Sequence, residues 1–335
     1  MKRIYYHYYP CLLALVSVSC WATPVPQRNL GAILNGSDII VVGFVASVTN
    51  NGTTELSSNG TQIHATIAEA HVQVKSVLAG GSLPNEISIQ YAIPDMPIGY
   101  RTIGAHTLRL LLLQRHGDTY SFSDPHFPSL PAVDTAISQA ASIIDRVSAV
   151  ESGVLSSSQA TPQDKEEAVY ALGSLDNANA LDVLARNISD TSIAVRLGIA
   201  SQLSLHNNLK GAVVASQVLL NPPSGTPEYL LHNLRVGIRD GVKDESAVPN
   251  ISAMLQSEDI ETREAAAEAL RHIGSPSVID PLVRSLADPD KKVRYQAAAG
   301  LAEITGQRDW HPSLIEFSQH ETKYLDHWAE WTRNR

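Results

Sequence analysis

Residues 180–196 read ALDVLARNISDTSIAVR, and residues 278–294 read VIDPLVRSLADPDKKVR. The offset of 98 brings Leu184 over Leu282, Arg186 over Arg284, Asp190 over Asp288, and Val195-Arg196 over Val293-Arg294. Upstream it sets Ala168 and Leu172 over Ala266 and Leu270. A shift of 31 carries residues 263–267 onto 294–298 and Leu270 onto Leu301. The longer offset therefore holds three units of 31 to 33 residues. Self-similarity at that period marks a stack of supersecondary units, none of which buries its apolar face alone.

Each unit reads as a pair of helices. Alanines such as Ala297 to Ala299 let the first helix approach its neighbours closely, and Gly274 or Gly306 closes it. Ser275-Pro276 opens the second helix, and Asp288 is expected to cap the next unit with Pro289 at its first position. Thr161-Pro162-Gln163-Asp164 gives the same signal for the start of the array. About five pairs follow from Pro162 to the end. The third, residues 229–257, keeps the period with a weaker alanine pattern and follows an irregular bend at 221–225.

Ahead of the array the periodicity changes. Residues 38–48 (DIIVVGFVASV) are β-branched with a glycine suited to a bulge or bend. Residues 50–60 read as a polar loop. Residues 63–78 and 86–91 alternate polar and apolar, as half-buried strands do. Residues 107–114 (TLRLLLLQ) read as a buried strand, and His116-Gly117-Asp118 as a hairpin turn. Five or so strands in 30–130 predict a small closed barrel. Val133, Ile137, Ala140, Ala141, Ile144 and Val147 predict a bridging helix over 131–152, followed by a small, polar linker at 153–163. The fold class expected is α+β in two domains: a small β-barrel, then an all-α repeat domain over 164–335.

These units, with residues 264–301 as the clearest example, resemble HEAT repeats of the phycobilin-lyase type, over 165–306. Thr305-Gly306-Gln307 followed by Trp328-Ala329-Glu330-Trp331 resembles the tryptophan-bearing cap of such arrays. Residues 38–43 and 70–78 with Gly80 resemble the oligonucleotide/oligosaccharide-binding (OB) type barrel of the tissue-inhibitor-of-metalloproteinases and netrin kind. Inhibitors of that family reach zinc through an N-terminal cysteine, which the expected mature chain lacks. The array is expected to be a scaffold that grips a protein or peptide on its concave face; the alternative is an enzyme or enzyme modulator, inhibitor-like or saccharide-binding, with its activity in the barrel. No cofactor is expected.

At the start, Met1-Lys2-Arg3 precedes an apolar run over residues 11–22 (CLLALVSVSCWA). That order predicts an export leader cleaved after Ala22. A lipoprotein signal at Cys20 is the rival, and the run is too short for a membrane span. Both cysteines fall in the leader, so the mature protein, periplasmic or extracellular, would have no thiol for disulfide, zinc or nucleophilic chemistry. Removing Lys2 and Arg3 from the 25 basic residues leaves 23 against 34 acidic ones, a formal charge of −11. Such a surface repels nucleic acid.

Several constellations bear on chemistry. Arg196, Arg263 and Arg294 recur at one repeat position, as an anion ladder or, preferably, as internal braces to aspartates such as Asp190 and Asp288. Asp182 with Arg186 and Asp280 with Arg284 stand four apart on second helices. They form intrahelical pairs or face a partner, and these four are the candidate partner-binding residues. Glu316, His320, Asp326 and His327 suggest a metal site, but terminal capping is the preferred account. The iron-binding deoxyhypusine hydroxylases of this repeat class use several His-Glu dipeptides, and only His320-Glu321 is present. His116, Asp124 and His126 with Ser121 and Ser123 lack a nucleophile-elbow pattern and read as turn residues. Trp310, Trp328 and Trp331 read as a buried seal. Saccharide binding by the barrel would require Tyr91, Tyr100 or Tyr120 exposed on one face. No catalytic constellation emerges.

Overall fold

A computed structural model describes residues 29–58, 60–96, 100–134 and 141–335. The expected leader to Ala22, with Cys11 and Cys20, lies outside the described residues, as do Ile137 and Ala140 of the expected bridging helix. The chain divides into two compact units between Val183 and Leu184.

The first unit begins with a helix, α1 (Leu30–Gly36), where strands and turns are expected; the Asn29 side chain caps it by accepting from the Gly31 amide. Six strands follow: β1 (Ile39–Ser58), β2 (Thr61–Ala79), β3 (Glu86–Pro94), β4 (Thr107–His116), β5 (Thr119–Phe122) and β6 (Ser129–Pro131). Hydrogen bonding runs β1–β2–β3–β5–β4 and returns from β4 to β1, so five strands form a closed ring. Only the β3–β5 contact, at Ile89 and Tyr120, is parallel within that ring. β6 continues β4's other edge along Arg109 to Leu111.

Alternate residues fill the ring: Ile39, Val41 and Val45 meet Val72, Ile89, Leu111 and Leu113. Their neighbours Ile40, Val42, Leu110 and Leu112 are equally buried on the opposite face. That face carries α2 (Ile143–Ser156) against β2 and α3 (Pro162–Ser174) against β6. Burial on both sides is why residues 110–113 are an unbroken leucine run. Gly43 lies at a register shift where a Cβ would strike Val72, as the glycine in the strand predicts.

Residues 50–58, expected as a polar loop, are strand. β1 and β2 run on as a hairpin arm paired from Thr53/Thr66 to Ser58/Thr61. Backbone pairing alone carries this arm; its side chains are mostly exposed, so it shows no apolar alternation. Residues 153–163, expected as a linker, are helical to Ser156 and then lead into the Thr161 capping box of α3. Arg109 of β4 reaches Glu167 at 3.2 Å and Asp164 at 3.8 Å, tying α3 to the strands.

In chain order α3 and α4 (Ala178–Arg186) make the first of five helix pairs, and the division between units falls inside α4. The second unit holds α5 (Ile193–Leu205) and α6 (Leu209–Leu220), then α7 (Glu228–Val236) and α8 (Val248–Met254). After them come α9 (Ile260–Ile273) and α10 (Ile279–Ser285), and finally α11 (Lys291–Thr305) and α12 (Leu314–Arg333). First helices stack in a row, α5 on α7, α7 on α9 and α9 on α11, while α6 lies on α8. Ala265 to Ala267 and Ala297 to Ala299 are buried along that row. Gly274 and Gly306 close α9 and α11 in the left-handed conformation, at φ 66° and 72°.

Two details differ from expectation. α11 is capped by Asp290, whose carboxylate accepts from the Lys292 and Val293 amides, so Pro289 lies outside the helix. Asp288 instead accepts from the Asp290 amide and is held for another purpose. In the third pair, α7 passes into a π-turn at Gly237–Gly241. A Cβ on Gly237 or Gly241 would strike the backbone of Ser201 or of Ser204 and Leu205. Glycines here provide the close approach that alanines provide elsewhere.

Candidate partner groove and the charges around it

The recurring arginines are braces. Arg263 on α9 donates from Nε and Nη2 to the two oxygens of Asp288, at 2.9 and 3.3 Å, and from Nη1 to the carbonyls of Ser257 and Glu258. Arg294 on α11 repeats the device, reaching the carbonyls of Asp288 and Pro289 and the carboxylate of Glu321. Arg196 donates to the carbonyl of Asp190 at 2.7 Å. A further rung, Arg235 on α7, is nearly buried and joins Glu228, Asp259 and Glu261. Sequence reading missed it because Arg235 stands 28 residues before Arg263 rather than 31. Arg235 takes Asp259 and Glu261 from the start of α9, and Arg263 takes Asp288 from the loop leading into α11, so these two rungs stitch one pair to the next, while Arg294 ties α11 to α12 within its own pair.

Beside the Arg263 rung, the loops after α8 and α10 enclose a groove of about 290 Å³, lined by Gln256, Ser257, Arg263, Arg284, Asp288 and Pro289 among others. Arg263 neutralises Asp288, whose side chain is only 8% exposed. Arg284 is exposed and makes no ion pair among the described residues. Its expected i, i+4 partner Asp280 bonds instead to Arg335 at 2.6 Å. The expected intrahelical pair is therefore not formed. Asp182 and Arg186 stand on α4 either side of the division between units, and neither is free.

The other constellations serve structure. Glu316 closes the capping box of α12 with Ser313. His327 stacks on Trp310 at 3.7 Å and bonds Gln307 at 2.9 Å; burial lowers its pKa. Trp328 is fully buried, with Trp331 edge-on against it. Among the described residues no group of three His, Cys, Asp or Glu side chains is placed to hold a metal. His116 bonds Ser121 at 2.9 Å, and Asp124 accepts from the His126 amide as in a turn. Tyr120 is part of the ring core and Tyr91 packs on Phe122, so the three tyrosines do not share an open face.

Glu151 on α2 escaped the sequence reading. It is wholly buried, and neither carboxyl oxygen has a hydrogen-bond partner among the described residues. Burial drives its pKa well above the usual carboxylate range; Arg109 opposes this, while Glu167 and Asp164 reinforce it. The signal was its spacing: Val147, Glu151 and Val154 share one helix face, so the acid lies on the apolar stripe.

Residues 236–302 match the family model of HEAT repeats. That stretch, from the end of α7 into α11, carries HEAT repeats. Among curated proteins, none matches the chain. Among solved structures, an engineered protein is 18% identical over 55% of this chain and 93% of its own, with a TM-score of 0.36. The CpcE–CpcF complex of phycocyanin lyase from Nostoc sp. is 19% identical over 54% and 72%, with a TM-score of 0.39. Human deoxyhypusine hydroxylase in complex with glycerol is 16% identical over 57% and 74%, with a TM-score of 0.27.

Proposed function

We propose that this protein is an exported, non-catalytic scaffold or adaptor that holds a protein or peptide partner on the second helices of its repeats. One observation carries the reading: the arginines of the first helices are committed to bracing within and between repeats, while Arg284 on the second helix α10 makes no ion pair among the described residues and stands beside a groove. A stitched array presents a second-helix row of fixed spacing, suited to many modest contacts along an extended partner. The acidic balance favours protein over nucleic acid. The basic start and apolar run to Ala22 support export. The strand order β1–β2–β3–β5–β4–β1 supports an OB-like barrel as the accompanying module.

Site-specific photo-crosslinking in the producing cell tests this. A benzophenone side chain at Asp280 on α10, or at Ala287 just after it in the groove lining, should give discrete adducts with a protein partner. The same group at Lys292, on a first helix, should give none. Adducts from Lys292 alone, or from neither helix row, would refute the reading.

A further inference from the structure

We infer that the groove beside Arg284 is a receptor for an aspartate or glutamate side chain of an extended peptide, with Gln256 holding the neighbouring peptide group. This deepens the scaffold reading and rests on it.

The donor set points to a carboxylate. Arg263 has Nε, Nη1 and Nη2 engaged by Asp288 and two loop carbonyls, so it forms a fixed wall with no charge to offer. Asp288 is neutralised by that fork and further held by the Asp290 amide. The one uncompensated charge in the lining is therefore Arg284, since its helix neighbour Asp280 is drawn away by Arg335. A guanidinium presents two parallel N–H donors that match one carboxylate. The Arg263–Asp288 pair displays that fork within the same groove, made by an internal acid.

Phosphate fits less well. Phosphate sites gather several free backbone N–H groups or cations around one anion. Here the Ala287 and Asp288 amides already donate to Arg284 and Ser285 carbonyls, which leaves a single fork. Gln256 is exposed at the rim, with both a donor and an acceptor for a peptide group. About 290 Å³ accommodates one acidic side chain and its flanking backbone, not a larger cofactor. In a chain of formal charge −9 a locally positive groove also orients an acidic segment, because the remaining surface repels it.

The test uses the full chain and fluorescent hexapeptide libraries, randomised except for a central Glu, Gln or phosphoserine, read by polarisation. The Glu library should bind at least tenfold tighter than the Gln library. Arg284→Gln should erase that preference, while Lys292→Gln should leave it intact. Arg284→Lys should restore part of it, keeping the charge without the fork. Equal binding of the Glu and Gln libraries, or a Glu preference that survives Arg284→Gln, overturns the assignment. A phosphoserine library that outcompetes Glu does so too, naming phosphate as the ligand instead. Crosslinks from Asp280 or Ala287 to a cellular partner without any Glu preference would leave the scaffold standing and remove only this inference. A Glu preference without crosslinks would do the reverse.

Discussion

Replacing Glu151 by Gln removes a single proton-binding group from the interior of the strand-ring unit at nearly constant volume. The folded carboxyl is buried without hydrogen bonds and its pKa is raised well above 4.5; in the unfolded chain it is solvated and ordinary. Between those two values the folded state binds more protons than the unfolded one, so stability falls as pH rises. While the pH lies between the two values, the slope for one group approaches about 1.4 kcal/mol per pH unit. Below 4.5 both states are protonated and the penalty vanishes. Glu151→Gln should therefore match the wild type near pH 4 and exceed its stability increasingly towards neutral pH. Hydrogen exchange by mass spectrometry reads this locally. Peptides from α2 and β4 should gain protection in the variant at pH 7, while α9 in the other unit serves as an internal control. Comparing variant with wild type cancels groups of opposite sign, such as Asp145, whose pKa is lowered by its bonds to Ser142 and Asn179. Identical pH slopes in the two proteins, or a variant weaker at every pH, would refute the claim that this carboxyl is held neutral by burial.

Three further outcomes follow from the packing. Arg263→Ala leaves Asp288 buried without its fork and should lower stability by about 3 kcal/mol, seen as an earlier urea transition in tryptophan fluorescence. Gly241→Ala places a methyl on the Ser204 and Leu205 backbone and should cost about 3 kcal/mol by overpacking, whereas Gly225→Ala, at an open turn, should cost about 1 kcal/mol for its positive φ. His327 stacks on Trp310 and burial lowers its pKa, so acid should alter Trp310 emission with a midpoint below 6.5. Folding should lose stability as pH falls through that range, because the half-buried ring resists charging, and His327→Gln should abolish the titration.

What could be read from the chain was whatever repeats locally. Alanine stripes, the Thr161 cap and the left-handed Gly274 and Gly306 are decided within a few residues, so period and chemistry coincide there. β2 and β3 announced themselves through alternation, and β1 and β4 through β-branched and leucine runs that are buried on both faces. The hairpin arm did not, since pairing between Thr53 and Thr66 uses backbone groups and leaves the side chains in water. In Asp288-Pro289-Asp290 either acid suits a cap; a salt bridge to Arg263, 25 residues earlier, decides which one is free to serve. Asp280 was lost to Arg335, 55 residues away, which no helical spacing predicts. The missed rung at Arg235 lies just before the π-turn, whose altered winding goes with the shorter spacing to Arg263.

The ladder also makes a separable claim about stability and recognition. Arg263 and Arg284 line one groove, but they differ in what each would leave behind. Removing Arg263 strands Asp288, frees the loop carbonyls of Ser257 and Glu258, and unties α9 from the loop that follows α10. Arg263→Ala should therefore lose both stability and the Glu preference of the groove, and the liberated carboxylate of Asp288 should pair with Arg284. Removing Arg284 strands nothing, because it holds nothing, and its loss should be silent in unfolding experiments. Restoring the wall's neutrality without its ion pair, as in Arg263→Ala combined with Asp288→Asn, should return much of the Glu preference while stability stays low. If the double variant remained blind to Glu, the preference would depend on the brace itself rather than on an unpaired Arg284.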